Sequence, residues 1–379
     1  MRNQGLVLFV ILVSVSAPLL KPGRAPAAAA DSVSSSVDSA IAPADTLQRF
    51  GYAFIPAIFY TPETGFAGGA SVLLFFRGRN DREIDLPSTV SPTLIFTEKK
   101  QIIAVIGYEL NLKQSRYRVN GDIGYLEFPD LFYGIGPDTP DDPEDYTPET
   151  AFLGVSLKKR IWPRLMFGVR YEFGHSQITE TEDGGLLASG LITGSDGGTV
   201  SGLGPVITWD SRDRLFYPKT GSFHALSALF YTDGLGSDFV FERYIMDFRT
   251  YIPFFEKNIL ALRAWFSLIN GDPPFQMMST IGGAELMRGY YDGRYRDNNA
   301  IVLQAEWRRR LWWRFGASVF AGYGDVAPTL DSFDIAEFKA AAGAGIRFVI
   351  DRGEGIAIRM DFGFIGGTPG PYFMINEAF

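Results

Sequence analysis

Beyond residue 50 the sequence alternates apolar and polar residues with a period of two, over long segments. In 101–113, Ile102, Ala104, Ile106, Tyr108, Leu110 and Leu112 alternate with Gln101, Gly107, Glu109, Asn111 and Lys113. In 165–176, Leu165, Phe167, Val169, Tyr171 and Phe173 face away from Arg170, Glu172 and Ser176. Near the end, Ile356, Ile358, Met360, Phe362 and Phe364 oppose Arg359 and Asp361. Successive side chains of a strand point to opposite faces, so each segment has one apolar and one charged face. The segments, about 9–14 residues long, match a tilted transmembrane strand. No apolar run here approaches the roughly 20 residues of a spanning helix. Aromatic residues close several segments ("WPRL", "LWWRF", "FYTDG"), where interfacial girdles belong. A soluble sandwich would also alternate, but with its apolar face inward; charges along the second face suit a polar lumen better than a dry core.

The N-terminus supplies the export signal. Arg2 precedes "GLVLFVILVSVSAPLL", and the tract "APAAAA" follows before Asp31. A basic start, an apolar stretch and a small-residue end read as a cleavable signal over 1–30. A membrane anchor is the alternative, but the run is short for a span. Residues 31–50 are small and polar and are expected to form a flexible periplasmic tail. An exported chain without a spanning helix satisfies its backbone in lipid only as a closed barrel. The expected fold is therefore all-β, a 16-stranded antiparallel transmembrane β-barrel over 51–379. Its strands are expected at 52–60, 65–77, 88–98, 101–113, 116–127, 150–161, 164–178, 199–212, 221–233, 238–252, 258–270, 299–310, 313–325, 337–351, 354–366 and 371–379. The count is even, as bacterial barrels require. With the N-terminus periplasmic, the long connections 128–149, 179–198, 271–298 and 326–336 fall outside. Those assigned inside are mostly short ("KQSR", "WP", "EKN", "LWW", "RGE"); 78–87, a longer polar inside turn, is an exception.

Composition excludes several functions. The chain has no cysteine, hence no disulfide, thiolate metal site or lipidated cysteine. A net charge of −8 argues against nucleic acid, which needs a basic face. His175 and His224 are the two histidines and lie too far apart for a histidine metal cluster; no cofactor is expected. A lipase-like site would need a serine and an acid or amide around a histidine. His175 and Ser176 are adjacent and point to opposite faces, and of Ser222 and Ser227 only Ser222 shares the face of His224. The acidic run 138–149 lacks EF-type spacing and reads as a solvated outer loop.

One stretch fits none of the strands: "GGAELMRGYYDGRYRDNN", residues 282–299, rich in glycine, tyrosine and arginine. It falls in the sixth outer connection. "GGAELMRGY" followed by "AEWRRRL" resembles the signature loop of the BamA/TamA-type outer-membrane assembly proteins, the bacterial surface antigen superfamily. The resemblance implies an Arg-Gly-aromatic tip, Arg288, Gly289 and Tyr290, folded back into the lumen. It also implies docking on acids of the next two strands, the first matched by Glu306. "WDSRDRLFYPKTGSF", 209–223, resembles the family's strand–turn–strand, with Asp210, Arg212, Asp213, Pro218 and Gly221 at matching places. "FPDLFYGIGPDT", 128–139, is also similar to members. The resemblance extends over essentially all of 51–379. Two departures stand out. Where the family carries Phe-x-Asp-x-Gly, "FAGYG" at 320–324 puts Gly322, which leaves Asp325 as the candidate substitute. No counterpart of the family's periplasmic POTRA domains is expected, because about 20 residues are too few to fold one.

The residues themselves point the same way. Glu306 shares the face of Gln304 and Arg308, opposite Ile301, Leu303, Ala305 and Trp307, so it points into the lumen. Arginine can meet it bidentately, and Gly289 permits the tight backbone turn. An ordinary lumenal ion pair is the plainer alternative. For Asp210, Arg212 and Asp213 the plainer role is stabilising a polar turn at the periplasmic rim. At the C-terminus Phe373, Ile375 and Phe379 share a face that Glu377 interrupts, and a terminal aromatic resembles a barrel-assembly signal. Pro56 lacks the N–H for a ladder bond, and the last strand opens on Pro371, so the seam between first and last strands is expected to be weakest. The expected function is insertion, assembly or translocation of outer-membrane proteins or other clients, by strand templating at that edge. The alternative is a passive channel or structural barrel. Expected partners are outer-membrane lipid and lipopolysaccharide, client β-strand proteins and a separate periplasmic protein, around a monomeric barrel.

Overall fold

The computed structural model describes residues 49–78, 86–350, 356–365 and 370–379. The expected signal, 1–30, and all but the end of the expected tail lie outside them. Nineteen strands follow in order: β1 (Phe50–Thr61), β2 (Gly65–Phe76), β3 (Ser88–Thr97), β4 (Ile102–Leu112), β5 (Tyr117–Glu127), β6 (Asp130–Phe132), β7 (Glu144–Trp162), β8 (Leu165–Thr181), β9 (Gly197–Asp210) and β10 (Gly221–Tyr231). The second half holds β11 (Phe241–Phe254), β12 (Asn258–Gly271), β13 (Ser279–Ile281), β14 (Tyr295–Asp297), β15 (Asn299–Arg310), β16 (Phe315–Ala327), β17 (Lys339–Val349), β18 (Ala357–Ile365) and β19 (Gly370–Ile375). Sixteen close an antiparallel ring, each pairing with its chain neighbours and β1 with β19. The others are loop strands: β6 pairs with the end of β7, and β13 with β14.

The outer wall is apolar and open to its surroundings: Ile106, Phe167, Leu303, Val319 and Phe362 are all exposed. Inside, Arg243, Arg288, Arg308 and Arg359 are fully buried. Burying charge while exposing leucine and phenylalanine inverts a soluble protein and fits a barrel in lipid. The inner face is not uniformly polar, however. On β1–β4, Ile55, Phe59, Leu73, Phe75, Ile95 and Ile103 point inward into one cluster. Those strands are apolar on both sides because something apolar fills the lumen beside them, namely Phe216 of the β9–β10 turn and Ile375.

Strand ends depart from expectation where chain leaves the membrane. β7 begins at Glu144 and β8 runs to Thr181, so part of the expected loops 128–149 and 179–198 is a hairpin continuing above the bilayer. The largest correction is at the C-terminus. The expected strand 371–379 stops at Ile375, and Asn376 turns in the left-handed region at φ 63°. Ile375 is 1% exposed and leaves the face it was expected to share with Phe373. Phe379 is buried against Tyr251, Ile259 and Ala261 on the lumenal side instead of facing lipid. The cause is Glu377: a carboxylate in the lipid-facing wall is costly, and inside it finds Arg347 at 2.9 Å.

Candidate functional site

The sixth outer connection lies inside the barrel, and nearly every residue of 279–297 is buried. The β13–β14 hairpin hands the chain to a compact tip in which Gly283 N–H donates to Tyr290 O (2.9 Å) and Tyr290 N–H to Met287 O (3.1 Å). Met287 and Gly289 both have positive φ, 59° and 115°, and this throws the Arg288 side chain toward the opposite wall. There Arg288 meets Glu306 of β15 and Asp361 of β18 at once, with its guanidinium 3.6 Å from the centre of the Phe320 ring. The Gly289 N–H donates to the Tyr372 hydroxyl at 3.0 Å, and the Tyr290 hydroxyl to Ala340 O at 3.1 Å.

Two glycines make room for this docking. A Cβ on Gly363 would lie 2.6 Å from Gly289 Cα. A Cβ on Gly322 would lie 2.8 Å from the Met287 sulfur. The aspartate that the resemblance expects near Gly322 is therefore replaced by space for a methionine, and its charge comes from Asp361 two strands further on. Asp325 does not substitute; it pairs with Lys339 at 3.1 Å.

Around Arg288 the charges form a closed lattice. Glu306 also accepts from Arg308 and Arg347, both at 3.0 Å. Asp361 also takes Arg347 and, at 3.0 Å, Arg359. Glu377 takes Arg347, and the Arg308 guanidinium donates to Phe379 O at 2.7 Å. Arg359 reaches back to Ala284 O of the loop at 3.2 Å. All these side chains are at most 2% exposed. Such a network holds its members in one geometry and is costly to break at any single member.

Above the tip, the loop is bound by the turns around it. Tyr291 donates to Asp130 at 2.9 Å, the Asp292 N–H to Glu63 at 2.9 Å, and Arg294 to Asp141 at 2.8 Å. Arg296 lies between the rings of Phe132 and Phe275, at 5.0 and 5.5 Å. The "FPDLFYGIGPDT" stretch is thus part of the wall against which the loop packs. Glu63, in the β1–β2 turn, is pushed up to about 7 by burial and by the neighbouring Asp292 charge.

The rim turn is bonded to itself. Asp210 holds Arg212 at 2.7 Å, Asp213 accepts the N–H groups of Lys219 and Thr220 at 2.8 and 3.1 Å, and Pro218 is buried. Gly221, at φ 98°, brings its backbone against Ser211, where a Cβ would meet O at 2.2 Å. The turn also sends Phe216 into the β1–β4 cluster and Tyr217 toward Phe379, closing the periplasmic end. Sequence reasoning passed over these two aromatics, whose signal was an apolar pair in an otherwise polar turn. At the seam, β1 and β19 share one registered pair, Tyr60↔Phe373, whereas β1 pairs with β2 along its whole length, Phe50↔Phe76 to Thr61↔Gly65. Pro56 faces outward in the first of these strands. Of the two histidines, His175 meets the Thr199 hydroxyl at 3.0 Å and His224 packs on Phe248, while the Ser222 hydroxyl meets Ser211.

The profile of the Omp85 superfamily domain matches residues 94–369. The chain belongs to the Omp85 superfamily. Among solved structures, this Omp85 barrel is similar to BamA from Haemophilus ducreyi lacking POTRA domains 1–3, at TM-score 0.61 and 14% identity over 87% of this chain and 70% of that one. It is also similar to CdiB from Acinetobacter baumannii (TM-score 0.55, 13% identity, 87% of this chain) and from Escherichia coli (0.53, 13%, 88%). It spans 60% and 63% of those two CdiB chains. At such identities the likeness speaks for the fold alone. No curated protein matches the sequence. As an Omp85 barrel, it is a bacterial outer-membrane protein.

Proposed function

We propose that this Omp85 barrel works in the insertion or translocation of outer-membrane clients, with the β1–β19 seam as its working edge. The observation that carries the reading is the seam itself, one registered pair between strands that are fully laddered to their other neighbours. Below that pair β19 turns into the lumen, so the flank of β1 is left for a client strand to extend by main-chain hydrogen bonds. Arg288, Gly289, Tyr290 and Glu306, with Asp361, act as a lock that keeps the loop and the final strands in place while the edge opens. A passive channel is disfavoured because the loop, the rim turn and the C-terminal residues fill the lumen. A separate periplasmic protein supplies client capture, and the barrel acts as a monomer in contact with outer-membrane lipid and lipopolysaccharide.

The test is a locked seam in a chain with no native cysteine. Tyr60→Cys with Phe373→Cys places thiols on the registered pair, where opposed Cα atoms lie roughly 4.5–5.5 Å apart. The readout is the rate at which an unfolded β-barrel substrate folds into liposomes carrying the protein. The native chain is expected to accelerate folding, the oxidised double variant to lose the acceleration, and reductant to restore it. Equal acceleration by the locked barrel removes seam opening from the mechanism, and no acceleration by the native chain favours a structural barrel.

A further inference from the structure

The two ends of the barrel differ in charge. Exposed loops at the outer end carry acids such as Asp142, Asp145, Glu182 and Asp183. At the periplasmic end the neighbouring β11–β12 and β15–β16 turns, joined by the Arg310 N–H to Lys257 O bond of 3.0 Å, expose Lys257, Arg309 and Arg310. None of these three cations forms an ion pair with a described residue. Beside them Phe255, Trp312 and Trp313 are 92%, 65% and 60% exposed. Basic residues and large aromatics together on one rim suit a membrane interface with anionic headgroups.

Directly above this rim, on the same strands, the lipid-facing wall is hollowed into a groove of about 590 Å³. The register explains the hollow. One row of outward residues runs Thr250↔Leu262, Leu262↔Ala305, Ala305↔Ala321, Ala321↔Ala342, mostly short side chains. The row above it runs through Phe248, Leu303 and Tyr323, and the row below through Leu260, Trp307 and Val319. The groove falls within the roughly 300–1,000 Å³ typical of small-ligand sites and opens toward the bilayer.

We propose that this flank, β11 to β17, is a binding site for one anionic glycerophospholipid of the periplasmic leaflet. Lys257, Arg309 and Arg310 hold the phosphate-bearing headgroup, Trp312 and Trp313 sit at the glycerol level, and an acyl chain lies in the groove. Charge complementarity selects the occupant: a zwitterionic lipid would satisfy the groove but not three cations that have no ion pair among the described residues. β18 separates this flank from the β1–β19 seam, and none of its residues belongs to that seam.

The test uses the full chain purified in mild detergent and native mass spectrometry, with phosphatidylglycerol and phosphatidylcholine of identical chains offered in equal amounts. Retention of phosphatidylglycerol in preference to phosphatidylcholine is expected. Arg309→Glu with Arg310→Glu should reduce that preference by on the order of tenfold or more, given the attraction of each basic residue for an anionic surface. Arg309→Gln with Arg310→Gln reads the same effect should the reversal not fold. Ala305→Phe, which fills the groove, is expected to lower occupancy by both lipids while keeping the headgroup preference. Equal retention of the two lipids overturns the proposal. So does a preference that survives loss of both arginines, including the case in which that loss instead strips a co-purifying periplasmic protein. Displacement of phosphatidylglycerol by lipid A overturns the assignment to the periplasmic leaflet.

Discussion

Arg288 shows how much a single side chain depends on its surroundings. In a partly solvated lumen, losing its bond to Glu306 would cost on the order of 1–3 kcal/mol. Here Arg288, Glu306 and Asp361 are all at most 1% exposed, so Arg288→Ala leaves two buried carboxylates one cation short, at about 3–5 kcal/mol. Glu306→Gln is expected to destabilise similarly, and the double variant by less than the sum. Denaturant unfolding in detergent measures this, and strict additivity would mean that the two residues do not interact. Glu63 gives the pH dependence. Its carboxyl titrates near 7 in the folded protein against an ordinary 4.5, so folding favours the protonated form. Its contribution is full below 4.5 and is lost as pH rises through about 7. Glu63→Gln, which keeps an oxygen for the Asp292 N–H, is therefore expected to match the native chain at low pH. Above pH 7 it should gain up to about 3 kcal/mol. Denaturant midpoints near pH 5 and pH 8.5 read the difference, and no gain at the higher pH would show that the carboxyl ionises without penalty.

Among the elements, β16 and β18 receive the loop through a glycine each, and the two glycines differ in what they face. A side chain on Gly363 meets the Gly289 backbone at 2.6 Å, which cannot move alone. A side chain on Gly322 meets the end of the flexible Met287 side chain. Gly363→Ala is therefore expected to undock the tip and speed tryptic cleavage within 282–298 at least tenfold in folded protein, while Gly322→Ala stays close to native. Equal protection in both variants would mean that the loop is held without the Gly289–Gly363 contact. The alternating strands β4, β8 and β18 were legible because each has one apolar and one polar face. β19 misled because Phe373, Ile375 and Phe379 read as one face with Glu377 as a mere interruption, whereas the partners of Glu377 lie on β15 and β17.

For the whole molecule, a closed sixteen-stranded wall with a packed lumen should resist detergent until heated. The mature protein is expected in the outer-membrane fraction and should migrate faster unheated than boiled on mild detergent gels. Unchanged mobility on heating, or recovery from the soluble periplasm, would contradict the barrel.

Period-two patterning and the absence of an apolar run long enough for a spanning helix beyond residue 50 determined the barrel and its strand number, because each is a local property of the chain. The same patterning put Glu306 on the lumenal face and marked 282–299 as a loop too polar for lipid. What the tertiary structure decided were the pairings that only ring closure creates. Asp361, 73 residues beyond Arg288, becomes its partner through curvature and register, and Asp325 is left to Lys339. The inward apolar face of β1–β4 has no meaning until Phe216 and Ile375 arrive to cover it. Alternation tells which side of a strand a residue takes; what waits on that side depends on how the whole sheet closes.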